Sequence, residues 1–118
     1  MTESMKIYIC SPYRGYIERN KRYASQCAIE VTAQGHIPVV PHLLFTDCLN
    51  DDDIDERKTG IAMAETLLLR CDEVWVYAAY GISEGMADEM LLAWSHNIPL
   101  EFKATPGIKE KEVEHHGE

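Results

Sequence analysis

Three carboxylates, Glu84, Asp88 and Glu89, fall within "YGISEGMADEM" (80–90), around what reads as the first turns of a helix. Ser83 suits the N-cap, where its side-chain oxygen accepts a backbone N–H, and Glu84 suits the first turn, where the helix dipole favours negative charge. At about 100° per residue, Met86, Ala87, Met90, Leu91, Ala93 and Trp94 form the apolar face and Asp88 points away from it into solvent. Glu89 falls at the edge of that face, where a carboxylate can be held partly desolvated. By position alone it is either a helix-rim glutamate or a carboxylate with a chemical role.

"SPYRG" (11–15) offers a hydroxyl (Ser11), an aromatic ring (Tyr13), a guanidinium (Arg14) and a glycine (Gly15) just ahead of a helix. Backbone N–H groups, the helix dipole and Arg14 together can hold an anion, although an ordinary strand-to-helix loop has the same composition. His42, after Pro41, can reach the same edge. The acidic run Asp51, Asp52, Asp53 and Asp55 lacks the glycine and terminal glutamate spacing of a calcium loop and reads as a solvated, helix-capping stretch.

These residues need a frame, and the chain alternates strand and helix patterns with short connections. "MKIYIC" (5–10) reads as a strand ending at the Pro/Gly-marked "SPYRG". Ile17, Ala24, Cys27, Ala28 and Val31 recur at helical spacing, with Arg19, Asn20, Arg22 and Glu30 opposite, so 16–34 is an amphipathic helix ended by Gly35. "HIPVVPHLLF" (36–45) reads as a short strand running into a loop, and Ile61, Ala64, Leu68 and Cys71 mark a helix after the acidic run. "DEVWVYAAY" (72–80) is a buried-type strand, 83–97 a helix and "IPLEFKA" (98–104) a last strand.

Repeated βα units with short connections specify a parallel sheet with helices on both faces, an α/β fold of the flavodoxin or Rossmann kind. The expected strand order is 2-1-3-4, with room for a further edge strand. Ligands of such sheets sit beyond the carboxyl ends of the strands, where the winding reverses. The loops meeting there are "SPYRG" and "YGISEG". Residues 1–103 are expected to form the domain and 104–118, polar and charged, a flexible tail.

With 118 residues there is one domain's worth of core, and no apolar run approaches the roughly 18 residues of a membrane span. The start lacks the layout of a signal peptide, so the expected location is the cytoplasm. Cys10, Cys27, Cys48 and Cys71 form no CxxC pair and read as reduced, small hydrophobic residues rather than metal ligands. A net charge of −9 argues against a nucleic-acid polymer as partner, while a small anionic ligand needs only locally placed basic groups.

"IYICSPYRG", "HIPVVPHLLF", "CDEVWV" and "ISEGMADEMLLAWSHNIP" together resemble the nucleoside 2-deoxyribosyltransferase-like superfamily, including its deoxynucleotide N-hydrolase branch and small uncharacterised relatives, over roughly residues 5–103. The resemblance implies that Glu89 is the nucleophile, that Tyr8 orients it and that Asp72, before the third strand, faces the base. It also matches Ser83 to a phosphate-contacting serine, and Arg14 and Gly15 to the first loop's phosphate-binding "RG". Ser11, Tyr13, His42, Gly85 and Met86 complete the expected ligand contacts. Ser83 leans towards a nucleotide over a free nucleoside, but Pro12 departs from the hydrolase loop and donates no N–H.

The implied chemistry is cleavage or transfer at an N-glycosidic bond through a glycosyl-enzyme, with Asp72 protonated when the base departs and with no metal or organic cofactor. The resemblance also implies a homo-oligomer. Two rivals use the same residues: a module that sequesters a nucleotide or nucleotide signal without turnover, and a glycohydrolase of the NAD type.

Overall fold

The strand β1 (Lys6–Cys10) shows why the chain folds as it does. Its alternate side chains face opposite ways, and all four from Ile7 to Cys10 are buried, which only a central strand covered on both faces permits. The structure, a computed structural model, describes residues 3–45 and 48–104. In it β1 is followed by α1 (Ile17–Ala33), β2 (Ile37–Val39), α2 (Pro41–Leu44), α3 (Ile54–Leu68), β3 (Glu73–Tyr77), α4 (Glu84–Ser95) and β4 (Leu100–Lys103). The four strands are parallel in the order β2-β1-β3-β4, with Tyr8 level with Val39 on one side and Val74 on the other. This is the expected α/β sheet, and among the described residues it has four strands.

The alternation of β1 and β3 divides the core in two. Ile7, Ile9, Trp75 and Tyr77 pack with Tyr23, Ala24, Cys27 and Val31 of α1 on one face. Tyr8, Cys10, Val74 and Val76 pack with Leu68 of α3, Cys71 and Met86 and Ala93 of α4 on the other. Gly35 ends α1 in the left-handed region at φ 86°, which glycine reaches without steric penalty.

Several local expectations are corrected. Asn20, assigned to the polar face of α1, is fully buried, because its Nδ2 donates to the carbonyls of Tyr13 (2.8 Å) and Arg14 (3.3 Å) and so ties down the "SPYRG" loop. The stretch after β2 is not a plain loop: Pro41, at the first helical position where its missing N–H is harmless, opens the single turn α2. The acidic run caps a helix as expected, Asp53 accepting from the N–H groups of Asp55 (2.9 Å) and Glu56 (3.1 Å), but α3 begins within the run, at Ile54. On α4 the buried face runs through Met86 and Ala93 with Met90 half-buried between them, whereas Trp94 (72% exposed), Leu91 (64%) and Ala87 face outward. The tail expected over 104–118 lies outside the described residues beyond Ala104. No described helix is long and apolar enough to cross a membrane.

Candidate active site

A cavity of about 360 Å³ opens beyond the carboxyl ends of β1 and β3, on the α3/α4 side of the sheet. Its wall is built by Ser11, Tyr13 and Arg14 after β1, Pro41 and His42 of α2, the face of α3 from Glu56 to Glu65, and the start of α4 from Ser83 to Glu89. Side chains of α1 hold the loop after β3 in place. The Arg19 guanidinium lies 3.8 Å over the Tyr80 ring and 4.6 Å from that of Tyr16, and the Tyr23 hydroxyl accepts from the N–H of Ala79 at 3.1 Å.

Glu89 occupies the buried face of α4, one turn from Met86 and Ala93, and is half-buried at the cavity wall. The hydroxyl of the fully buried Tyr8 donates to its Oε2 at 2.6 Å, a short charge-assisted bond. Cys10, two residues along β1 and therefore on the same side, lies beside the same carboxylate, and its thiol donates to the Met86 carbonyl at 3.7 Å. Burial pushes the Glu89 carboxyl up to about 7; the Tyr8 hydroxyl and the nearby Cys10 thiol restrain that rise, and the neighbouring charges of Asp88 and Glu65 add to it. Burial and the Glu89 charge hold the Tyr8 hydroxyl and Cys10 thiol well above their ordinary ranges, so both remain protonated donors.

Ser83 caps α4 as expected, its Oγ accepting from the Met86 N–H at 3.2 Å and leaving its own proton available to a ligand. Glu84 lies in the first turn and Asp88 is exposed. Gly85 stands beside the cavity with open space where a Cβ would project. His42 lies parallel to the Tyr13 ring at 5.0 Å between centroids, and its Nε2 donates to the Ser11 carbonyl at 2.9 Å. Burial lowers its pKa, so the ring is neutral near pH 7. Arg14 reaches the cavity rim, where its Nη1 lies 3.4 Å from Asp51 Oδ2; both side chains are partly exposed, and such a pair adds little stability. Gly15 takes a φ of 96° between that loop and α1.

Asp72 is the exception. It precedes β3 and therefore lies at the amino end of the strands, where its exposed carboxylate accepts from the Lys6 N–H at 2.7 Å, and it has no place in the cavity wall. In a parallel sheet a residue before a strand and a residue after one are at opposite edges, so the assignment of Asp72 to the base fails on topology.

Residues of this region that the sequence did not place here include Cys10, Asn20, Asp51, Arg57 and Glu65. Period-two alternation from Tyr8 was a signal for Cys10, and the i+4 step from Ile61 was a signal for Glu65. Nothing local announces Asn20, Asp51 or Arg57. Among the described residues no group of three or more His, Cys, Asp or Glu side chains is arranged to hold a metal ion.

Fold and site together define a parallel α/β domain with a hydrogen-bonded carboxylate at its switch-point cavity. Residues 5–103 match the family described as Domain of unknown function (DUF7768), and the chain belongs to that family. The solved structure of a 2-deoxyribosyltransferase from the psychrotolerant bacterium Bacillus psychrosaccharolyticus matches it with a TM-score of 0.70 and 17% identity, over 88% of this chain and 75% of that one. At this identity the likeness establishes a shared fold. No curated protein matches the sequence.

Proposed function

We propose that the protein cleaves, or transfers at, the N-glycosidic bond of a nucleoside monophosphate or related nucleotide, with Glu89 as nucleophile. The observation that carries this reading is the Glu89 carboxylate held by the Tyr8 hydroxyl at 2.6 Å on the wall of the switch-point cavity. The likeness in fold to a 2-deoxyribosyltransferase supports it. Ionised Glu89 attacks C1′ of the sugar as the C1′–N bond breaks and its electron pair passes to the base nitrogen, which takes up a proton. Water or a second base then attacks C1′ and releases the carboxylate. With Asp72 at the opposite edge, Glu65, in the wall of the same cavity, is the carboxyl group assigned to pass a proton to the departing base. The chemistry calls on no metal or organic cofactor.

Arg14, with Ser83 and the N–H groups at the start of α4, is the anion-binding end of the same cavity. Arg14→Ala is expected to weaken binding of a nucleoside monophosphate by about 1.5–3 kcal/mol and binding of the matching nucleoside hardly at all. Calorimetric titration of both ligands checks this, and equal affinity of the wild type for nucleotide and nucleoside would count against it.

The cavity wall also favours a second reading. Asp51, Glu56, Glu65, Glu84, Asp88 and Glu89 face Arg14 and Arg57, an acidic balance that suits a positively charged leaving base of the NAD type, which departs without protonation. Incubation with a panel of deoxynucleotides, ribonucleotides and NAD, followed by chromatography for free base, separates these readings. Base from nucleotides supports the first, nicotinamide from NAD the second, and tight binding without products a sequestering protein.

The exposed Trp94 and Leu91 on α4 supply an apolar patch for a second copy of the chain, and a homo-oligomer is the expected state. Solution scattering at tens of micromolar tests this; a strictly monomeric mass contradicts it.

A further inference from the structure

We propose that Ser11 selects the sugar: its hydroxyl pairs with the 2′-hydroxyl of a ribose, so the site favours ribonucleotides over 2′-deoxyribonucleotides. This rests on the proposed function for placing the sugar beside Glu89. Ser11 is 1% exposed, and among the described residues its Oγ has no hydrogen-bond partner. Its carbonyl, by contrast, is taken by His42 Nε2 at 2.9 Å, which fixes the backbone at this point. A buried hydroxyl left unpaired is costly, and such groups in folded proteins are nearly always matched. Ser11 belongs to the cavity lining, so a ligand seated there is the match the proposal assigns to its hydroxyl.

The shared wall says which ligand atom that is. Ser11 directly follows β1 and lines the same cavity as Glu89, whose carboxylate the Tyr8 hydroxyl holds from β1. A carboxylate set to attack C1′ has the C2′ substituent one bond from the reacting carbon. Pro12, which follows, has no N–H and so removes one backbone donor beside the Ser11 hydroxyl. A hydroxyl both donates and accepts, which suits another hydroxyl. A site that hydrogen-bonds a substrate hydroxyl rejects the analogue lacking it, because its own buried group is then stranded.

The test is calorimetric titration of the full chain with AMP, 2′-deoxy-AMP and 3′-deoxy-AMP, repeated with the guanine, cytosine and uracil sets. For the base that binds best, the wild type is expected to prefer the ribonucleotide over its 2′-deoxy form by about tenfold or more and to tolerate the 3′-deoxy form within about threefold. Ser11→Ala should bring the ribo and 2′-deoxy forms within about threefold by weakening the former, and Ser11→Cys, similar in size and a poor donor, should fall between. If Ser11→Ala does not fold, Ser11→Cys and the wild-type ratios decide. Equal or deoxy-preferring binding by the wild type overturns the proposal, as do a loss that falls on the 3′-deoxy form, an unchanged ratio in the variants, or no binding by any set. Base release followed in the same mixtures keeps the two ideas apart. Ribose preference without release sinks the glycosidic reading alone, whereas equal release from ribo and deoxy forms sinks the role of Ser11 alone.

Discussion

Glu89→Gln is expected to lower turnover by about a thousandfold or more while leaving ligand affinity within a few-fold. Glutamine keeps the shape of the side chain, and its carbonyl oxygen can still accept from the Tyr8 hydroxyl that lies 2.6 Å from Glu89 Oε2. What it removes is the negative oxygen that collapses onto C1′. Glu84→Gln and Asp88→Asn serve as controls, because the first residue stands in the opening turn of α4 and the second is exposed; both variants should remain within a few-fold of wild type. Single-turnover measurements on the substrate identified by base release check the ranking. Near-normal turnover by Glu89→Gln would remove Glu89 from the mechanism.

The same carboxylate sets a pH dependence of stability. Its pKa is about 7 in the fold against an ordinary 4.5, so the folded chain prefers the protonated form. The stability this contributes is whole below pH 4.5 and is withdrawn as pH rises through 7. The difference corresponds to about 3 kcal/mol, reduced to about 2 kcal/mol by solvent on the cavity side. Glu89→Gln carries no such charge, so it should match the wild type near pH 4.5 and exceed it by about 2–3 kcal/mol at pH 8.5. Urea unfolding of both proteins at the two pH values reads this directly, and comparing the pair cancels the titration of other groups. A constant difference across that range would mean that Glu89 titrates normally and is not held by its surroundings. The proposed attack on C1′ needs the ionised form, so activity should rise through the window in which stability falls.

Much of this arrangement was legible in the residues. The βα alternation with short connections allowed little beyond a parallel sheet, and the Pro/Gly-marked loops after β1 and β3 had to meet at its switch point. Ser83, Glu84, Asp88 and Glu89 sorted correctly because capping and helical angle are local properties. What escaped the sequence depends on packing between segments far apart in the chain. Asn20 looks like a surface residue until the carbonyls of Tyr13 and Arg14 need donors inside the protein. Trp94 looks like core by type, yet among the described residues no element packs over the angle it occupies on α4. Arg14 reads as free for an anion, but the chain that returns through the acidic loop brings Asp51 to 3.4 Å of its Nη1. Asp72 was misplaced for another reason: a motif match carried it, although its place before β3 already put it at the wrong edge of the sheet.

The central claim is a covalent bond between Glu89 and the sugar, and the most direct measurement is the mass of the protein after an acid quench during turnover, followed by peptide mapping. The account predicts a gain equal to one glycosyl residue without its base, carried by the peptide containing Glu89 and absent from Glu89→Gln. Base release with no adduct in the wild type, or an adduct mapped to any other residue, would contradict it.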